Sequence, residues 1–194
     1  MRWLAGVVAA VILLLLIYFG SAASSLAKLA AAVRAGDGAA VLARTDLKTL
    51  NHSLTDQIVR SYLERIGATR QIKPMERVLI NTYGASIADA MVAKMLTPER
   101  LTQMLKTGSL DAPGVPSFAG LPALADLQTS DWLSLLGRVK VIKPVLLAIR
   151  VSNSSEPDDY AAIDLHSEGL DWKLAGIELP KPIVRDLAAS LPVK

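Results

Sequence analysis

The sequence predicts an α+β protein held at a membrane, and three observations predict it. No charged side chain occurs between Arg2 and Lys28, and Leu4 to Phe19 is almost purely apolar. From Ser24 to Thr107 apolar residues recur at helical spacing. From Arg138 onward the pattern changes to the alternation of strands. Helices first and strands after give an α+β architecture: an N-terminal transmembrane helix, several helices packed on a C-terminal antiparallel β-meander, and a short closing helix.

The apolar start spans roughly 25 Å as a helix, near the minimum hydrocarbon span. Two readings fit it. A cleaved secretory signal would have Met1-Arg2 as its basic end and Gly20-Ser21-Ala22-Ala23 as small residues for cleavage. An uncleaved anchor accounts better for Trp3 and Tyr18-Phe19, aromatic residues at the two ends where the membrane interfaces would fall. The expected organisation is therefore an anchor over 1–22 and a single exported domain over 23–194. The charge flanking the helix is expected to keep the N-terminus in the cytoplasm and the C-terminal domain on the exported side, which for a bacterial inner-membrane protein is the periplasm.

Composition narrows the function classes. The chain has 194 residues, of which 52% are hydrophobic and 5% aromatic, with a net charge of +3 spread along its length. A nucleic-acid protein would concentrate its basic residues, so no nucleic-acid partner is expected. The absence of cysteine excludes disulfides, thiol catalysis and thiolate metal sites.

Ser24 to Ala35 is expected to form the first soluble helix, stopped by Gly36-Asp37-Gly38. Asp37 can cap a short helix through Val41 and Leu42, and Asp46 a longer one ending near Gly67. On the longer helix Leu47, Leu50, Leu54, Ile58, Tyr62 and Ile66 share a stripe. Ile72 to Met95 follows, with Val78, Leu79, Tyr83, Ile87, Met91 and Met95 as its apolar side and a kink expected near Asn81 and Gly84. Thr97-Pro98-Glu99 combines an N-cap, a first-turn proline and a first-turn acid. The Pro/Gly-rich stretch over 107–130 is expected to be irregular, a surface flap with Phe118 as one of its apolar points. Arg138 to Val151 reads as one long strand, with Pro144 at a bulge or an edge. Tyr160 to His166 and Asp171 to Leu179 are the second and third strands, the last with a bulge near Gly176 that switches its inward parity. A closing helix covers Ile183 to Leu191.

Several of these signals together resemble a bacterial family, domain of unknown function 2939. They are Gly36-Asp37, Asp46-Leu47 with Leu50 and Ser53-Leu54, Leu96-Thr97-Pro98-Glu99, and Gly169-Leu170-Asp171-Trp172-Lys173-Leu174 followed by Ile177 and Leu179-Pro180. Gly20-Ser21-Ala22-Ala23 departs from the Ser-Pro-Tyr-like start that family would lead one to expect. The resemblance implies an N-terminal membrane segment and transfers no catalytic residue. At fold level the chain also resembles cone-shaped α+β domains, the nuclear-transport-factor-2-like fold and periplasmic lipid carriers, which implies an apolar pocket between helices and sheet.

No catalytic constellation emerges, and the expected function is non-enzymatic. The domain would present a binding surface for an envelope protein partner, or a pocket for a lipid or other apolar ligand. No catalytic, cofactor-binding or metal residue and no cofactor is assigned. Met91, Met95, Met104 and Phe118 are the candidate apolar pocket or flap, against ordinary core packing for the methionines. His52 and Asp56 share a helix face without a third ligand, and Arg60, Arg65, Arg70, Lys73 and Arg77 form a basic run relieved by Glu64 and Glu76. The rivals are a carboxylate enzyme using Asp164 or Asp46, and a structural spacer.

Overall fold

The computed structural model describes residues 2–107, 109–112, 115–119, 138–150, 160–169 and 171–191. Seven helices and six strands are described. Helix α1 runs unbroken over Arg2–Arg34. The expected break between anchor and first soluble helix is absent, because Gly20-Ser21-Ala22-Ala23 contains no proline and a lone glycine costs a helix only about 1 kcal/mol. Its first half, to Phe19, exposes Leu4, Val7, Val8 and Leu13 to Ile17, whereas Ala22, Leu26, Leu29, Ala30 and Val33 of its second half are buried.

Gly36, at φ 64°, ends this run in the left-handed conformation. Helix α2 (Gly38–Ala43) and helix α3 (Leu47–Thr69) start as the sequence predicts. Asp37 accepts from the Ala40 amide at 2.9 Å, and Asp46 from the Thr49 amide at 3.1 Å. Gly38 is required by a close crossing: a methyl group there would stand 2.3 Å from the Pro98 carbonyl oxygen and 2.6 Å from the Thr102 amide nitrogen. Helix α3 runs two residues past Gly67, and its Leu47 is exposed.

Helix α4 (Pro74–Leu79), a π-helical turn (Ile80–Gly84) and helix α5 (Ala85–Met95) follow one another, the π-helical turn standing at Asn81 and Gly84 where a kink was expected. The apolar side of this stretch differs from expectation. Val78, Leu79, Tyr83 and Ile87 are exposed, as is Met75, while Ala88, Met91 and Val92 face the core. The wider π turn advances the phase of the helix, so the stripe that reads as continuous in sequence is split between solvent and core. Helix α6 (Pro98–Thr107) follows.

Two strands, β1 (Ser109–Ala112) and β2 (Val115–Ala119), pair antiparallel where the sequence suggested no regular element. The two strands are too short, at four and five residues, to show a clear alternation in sequence. The remainder of the predicted flap, residues 120–130, lies outside the described residues. The main sheet is an antiparallel meander in the order β3-β4-β5-β6. Strands β3 (Val139–Lys143) and β4 (Leu146–Arg150) replace the single long strand expected there. Pro144, with no amide hydrogen to donate, sits in the turn rather than at a bulge. Strand β5 (Ala162–Glu168) pairs with β6 (Asp171–Glu178). Asp164 pairs with Gly176 but Leu165 with Leu174, which leaves Ala175 as the extra residue of a bulge beside Gly176, as expected. Helix α7 (Lys181–Ala189) closes the described chain.

The core is the helix–sheet interface. Leu50 and Ile58 of α3, Leu147 of β4, Ile163 and Leu165 of β5 and Leu187 of α7 are almost wholly buried. The free edge of β6 is covered by residues 44–46: the Asp46 amide donates to Leu174 at 2.8 Å and the Leu174 amide to Arg44 at 2.9 Å. Gln57 of α3 binds the end of the same strand, donating to the Ile177 carbonyl at 2.7 Å and accepting from the Leu179 amide at 3.0 Å.

Candidate functional site

The most elaborated polar contacts in the molecule join α1 to the far end of the sequence. Tyr18, Ser21 and Ser25 recur at i, i+3 and i+7, one face of a helix. Trp172 of β6 meets all three. Its backbone amide donates to Ser25 Oγ at 3.2 Å, and its indole Nε1 to Ser21 Oγ at 3.0 Å. Its ring stands edge-on to Tyr18, with centroids 5.1 Å apart. Ser21 donates in turn to the Tyr18 carbonyl at 2.8 Å, and the Tyr18 hydroxyl to the Pro144 carbonyl in the β3–β4 turn at 2.8 Å. A buried indole needs an acceptor, and here the acceptor is supplied by the segment that composition alone marks as membrane or signal. In the sequence Ser21 stands among the small residues a cleaved-signal reading would use, beside the favoured reading of an uncleaved anchor. The signal that could have found this junction is the Tyr-x-x-Ser-x-x-x-Ser spacing itself, three hydrogen-bonding side chains on one face of an otherwise small and apolar run.

The candidate pocket residues are placed as follows. Met91 is buried in the core, where its sulfur lies 3.5 Å from the Ser190 hydroxyl. Met95 and Met104 pack partly buried against the same core. Phe118 belongs to β2 and pairs with Leu110. The three methionines line none of the clefts described next.

An open cleft of about 710 Å³ lies between the end of α3 and α4, lined by Arg60, Leu63, Glu64, Arg70, Ile72 and Arg77. The structure thus brings three arginines of the predicted basic run together. Arg70 is engaged, forming a two-pronged ion pair with Glu76 whose Nη1–Oε2 arm is 2.8 Å. That hydrogen bond holds the Glu76 carboxyl below its usual range. Arg65 lies over the Tyr62 ring, 5.4 Å from its centroid. A smaller cleft of about 340 Å³ abuts the junction, between Ser25, Lys28, Arg44 and Trp172.

The titratable candidates divide clearly. His52 and Asp56 make an exposed i, i+4 contact at 3.4 Å. Asp46, His166 and Glu168 bring their ligand atoms within 4.8 Å of one another. Two of the three already have work: Asp46 takes the Thr49 amide and hydroxyl, the latter at 2.6 Å, and Glu168 pairs with Lys173 at 2.7 Å. An ammonium beside the carboxylate opposes a cation there. The hydrogen bonds from Thr49 hold Asp46 below the usual carboxylate range. Asp164 differs. It is half-buried against Gly176, and burial raises its pKa. Glu178, two residues along the neighbouring strand, is raised first by burial and then by the Asp164 charge, with Arg60 and Lys140 opposing.

Residues 11–104 match the model of a family described as protein of unknown function (DUF2939), a stretch from the middle of the bare half of α1 to Met104. No curated protein and no solved structure matches the chain.

Proposed function

We propose that this chain, whose residues 11–104 match the DUF2939 family model, is a non-enzymatic, membrane-anchored envelope protein of that family. It presents its α+β domain on the exported side of a bacterial inner membrane to a protein partner. One observation carries this reading: α1 passes without a break from an apolar stretch long enough to cross a membrane into the core of the domain. The junction supports retention of that stretch. Cleavage after Ala22 or Ala23 would remove Tyr18 and Ser21 and leave the Trp172 indole without its acceptor. A partner is favoured over an enclosed apolar ligand because the three methionines line neither cleft, while Met75, Val78, Leu79, Tyr83 and Ile87 leave an apolar helix face uncovered.

Intact-mass analysis of protein extracted from membranes tests the anchor. A mass that includes residues 2–23, in a carbonate-resistant membrane fraction, is expected; a soluble form beginning at Ser24 would overturn it. Protease added outside the inner membrane should remove the domain, and protection there would reverse the orientation. Photocrosslinkers at Val78 and Tyr83 in intact envelopes should give a discrete adduct that one at Gln103 does not. Native mass spectrometry showing a bound lipid-sized mass would favour a ligand instead.

A second reading rests on Asp164. A half-buried carboxylate that holds its proton more tightly than usual, with Glu178 nearby, is the arrangement from which acid–base chemistry is built. It predicts that Asp164→Asn abolishes a cellular phenotype while leaving the fold and the membrane fraction unchanged. A silent Asp164→Asn removes it.

A further inference from the structure

We propose that the β3–β4 hairpin is a second membrane contact, its tip seated in the interface of the same bilayer that α1 crosses. The inference rests on the anchor reading and adds to it a surface of the folded domain.

The argument begins with where the bilayer must end. A hydrocarbon core of about 30 Å takes about 20 helical residues. Counted from Trp3, such a span ends at Ala22, the first buried hydrophobic residue of α1. Tyr18 then lies about 6 Å inside that boundary, at 1.5 Å per residue. The hairpin is attached at this level, through the hydrogen bond from the Tyr18 hydroxyl to the Pro144 carbonyl at 2.8 Å. The β5 strand fixes the tip from the other side, the Ser167 amide donating to the Val145 carbonyl at 2.9 Å. The tip can therefore leave the interface only if the helix leaves it too.

Its composition fits that place. Val141, Ile142 and Val145 are 52%, 49% and 47% exposed, and Pro144 is exposed between them. Ile142 is the unpaired residue of a bulge, since Val141 pairs with Leu147 and Lys143 with Leu146. Three apolar side chains thus stand exposed within five residues at the tip. Lys140 and Lys143 alternate with them, exposed, and Arg138 stands at the strand's start. Apolar groups with interspersed lysines suit a bilayer interface, the stems reaching over acyl chains and the ammonium groups meeting anionic headgroups. The same lysines also guard β3, whose outer edge faces no other strand of the sheet.

The chain has no cysteine, so single cysteines can be placed cleanly. The full-length protein would be reconstituted into phosphatidylcholine–phosphatidylglycerol vesicles carrying a headgroup-proximal quencher lipid. Ile142→Cys, Val145→Cys, Leu15→Cys and Gln103→Cys would each bear an environment-sensitive fluorophore. Gln103 is the distant reference: Lys106 of its helix packs over Gly36, which lies roughly 27 Å beyond Tyr18 along α1 at 1.5 Å per residue. The Ile142 and Val145 labels should lose most of their emission to the quencher and shift to the blue, with the Gln103 label unaffected. If both hairpin labels behave like Gln103 while the Leu15 label is shielded in lipid, the hairpin contact is wrong and the anchor stands. If the Leu15 label is itself exposed to water, the anchor reading fails and takes this one with it. Two independent, exposed hairpin positions, checked against wild-type thermal unfolding, separate either outcome from a misfolded variant.

Discussion

The two halves of α1 are one helix with two kinds of surface. From Trp3 to Ile17 the side chains are apolar on every face and exposed. From Ala22 to Val33 the apolar residues recur at i, i+4, i+7, i+8 and i+11, and that single stripe is buried. The backbone does not register the change. What changes is the periodicity: an all-round apolar surface needs an apolar solvent, whereas a striped one needs only a core on one side. The junction of Tyr18, Ser21, Ser25 and Trp172 stands where one regime gives way to the other.

Substitutions can break this comparison or sharpen it. Leu29→Ala in the striped half should destabilise the domain by about 2–5 kcal/mol, the range for emptying a buried leucine site. Leu15→Ala in the bare half should leave the unfolding of the domain unmoved. Equal effects in a denaturant titration in detergent would show that the halves are not distinct. Leu15→Arg should instead make membrane insertion less favourable by about 2.5–3.5 kcal/mol, read as a shift from membrane to soluble fraction. Ser25→Ala, at the boundary, strips the Trp172 amide of its acceptor and should cost about 1–3 kcal/mol. The smallest effect concerns pH, because the bare half carries no acidic or basic side chain while the domain does. Asp46 has a depressed pKa, so its stabilisation is present above the unfolded carboxylate pKa and lost as pH falls through its folded one. Asp46→Ala should cost about 1 kcal/mol at neutral pH, as the loss of an N-cap, and much less in acid. Asp164 has the opposite sign. Its raised pKa gives stability that is present below the unfolded pKa and lost as pH rises through the folded one, so Asp164→Asn should slightly stabilise the protein at neutral pH.

Local chemistry was readable in advance, and long-range consequence was not. Asp37, Asp46 and Thr97-Pro98 mark their helix starts because caps are satisfied within a few residues. Asn81 and Gly84 mark the π turn, and Gly176 the bulge, for the same reason. Pro144 announced an interruption, but a proline alone does not say whether a strand bulges or reverses, and here it reverses. The apolar run from Val78 to Ile87 follows a helical period, yet period alone does not say which face the core takes once a wider turn has shifted the phase. The junction was the least legible part, because Ser25 and Trp172 are 147 positions apart and nothing local to either names the other. For the same reason the methionines read as a pocket: helical spacing places Met91 and Met95 on one face without showing that Met91 is buried in the core with its sulfur beside the Ser190 hydroxyl.

A helix without a joint also has mechanical meaning. In the proposed anchored state α1 would pass from membrane to core with no linker, and the domain would have no swivel. Its height above the bilayer would be fixed, and any tilt or rotation of the anchor would turn the sheet with it through Trp172 and Pro144. A partner would have to come to that height and orientation, which would confine the encounter to lateral diffusion in a thin layer next to the membrane. In return, a torque applied to the helix within the bilayer would be felt at the sheet.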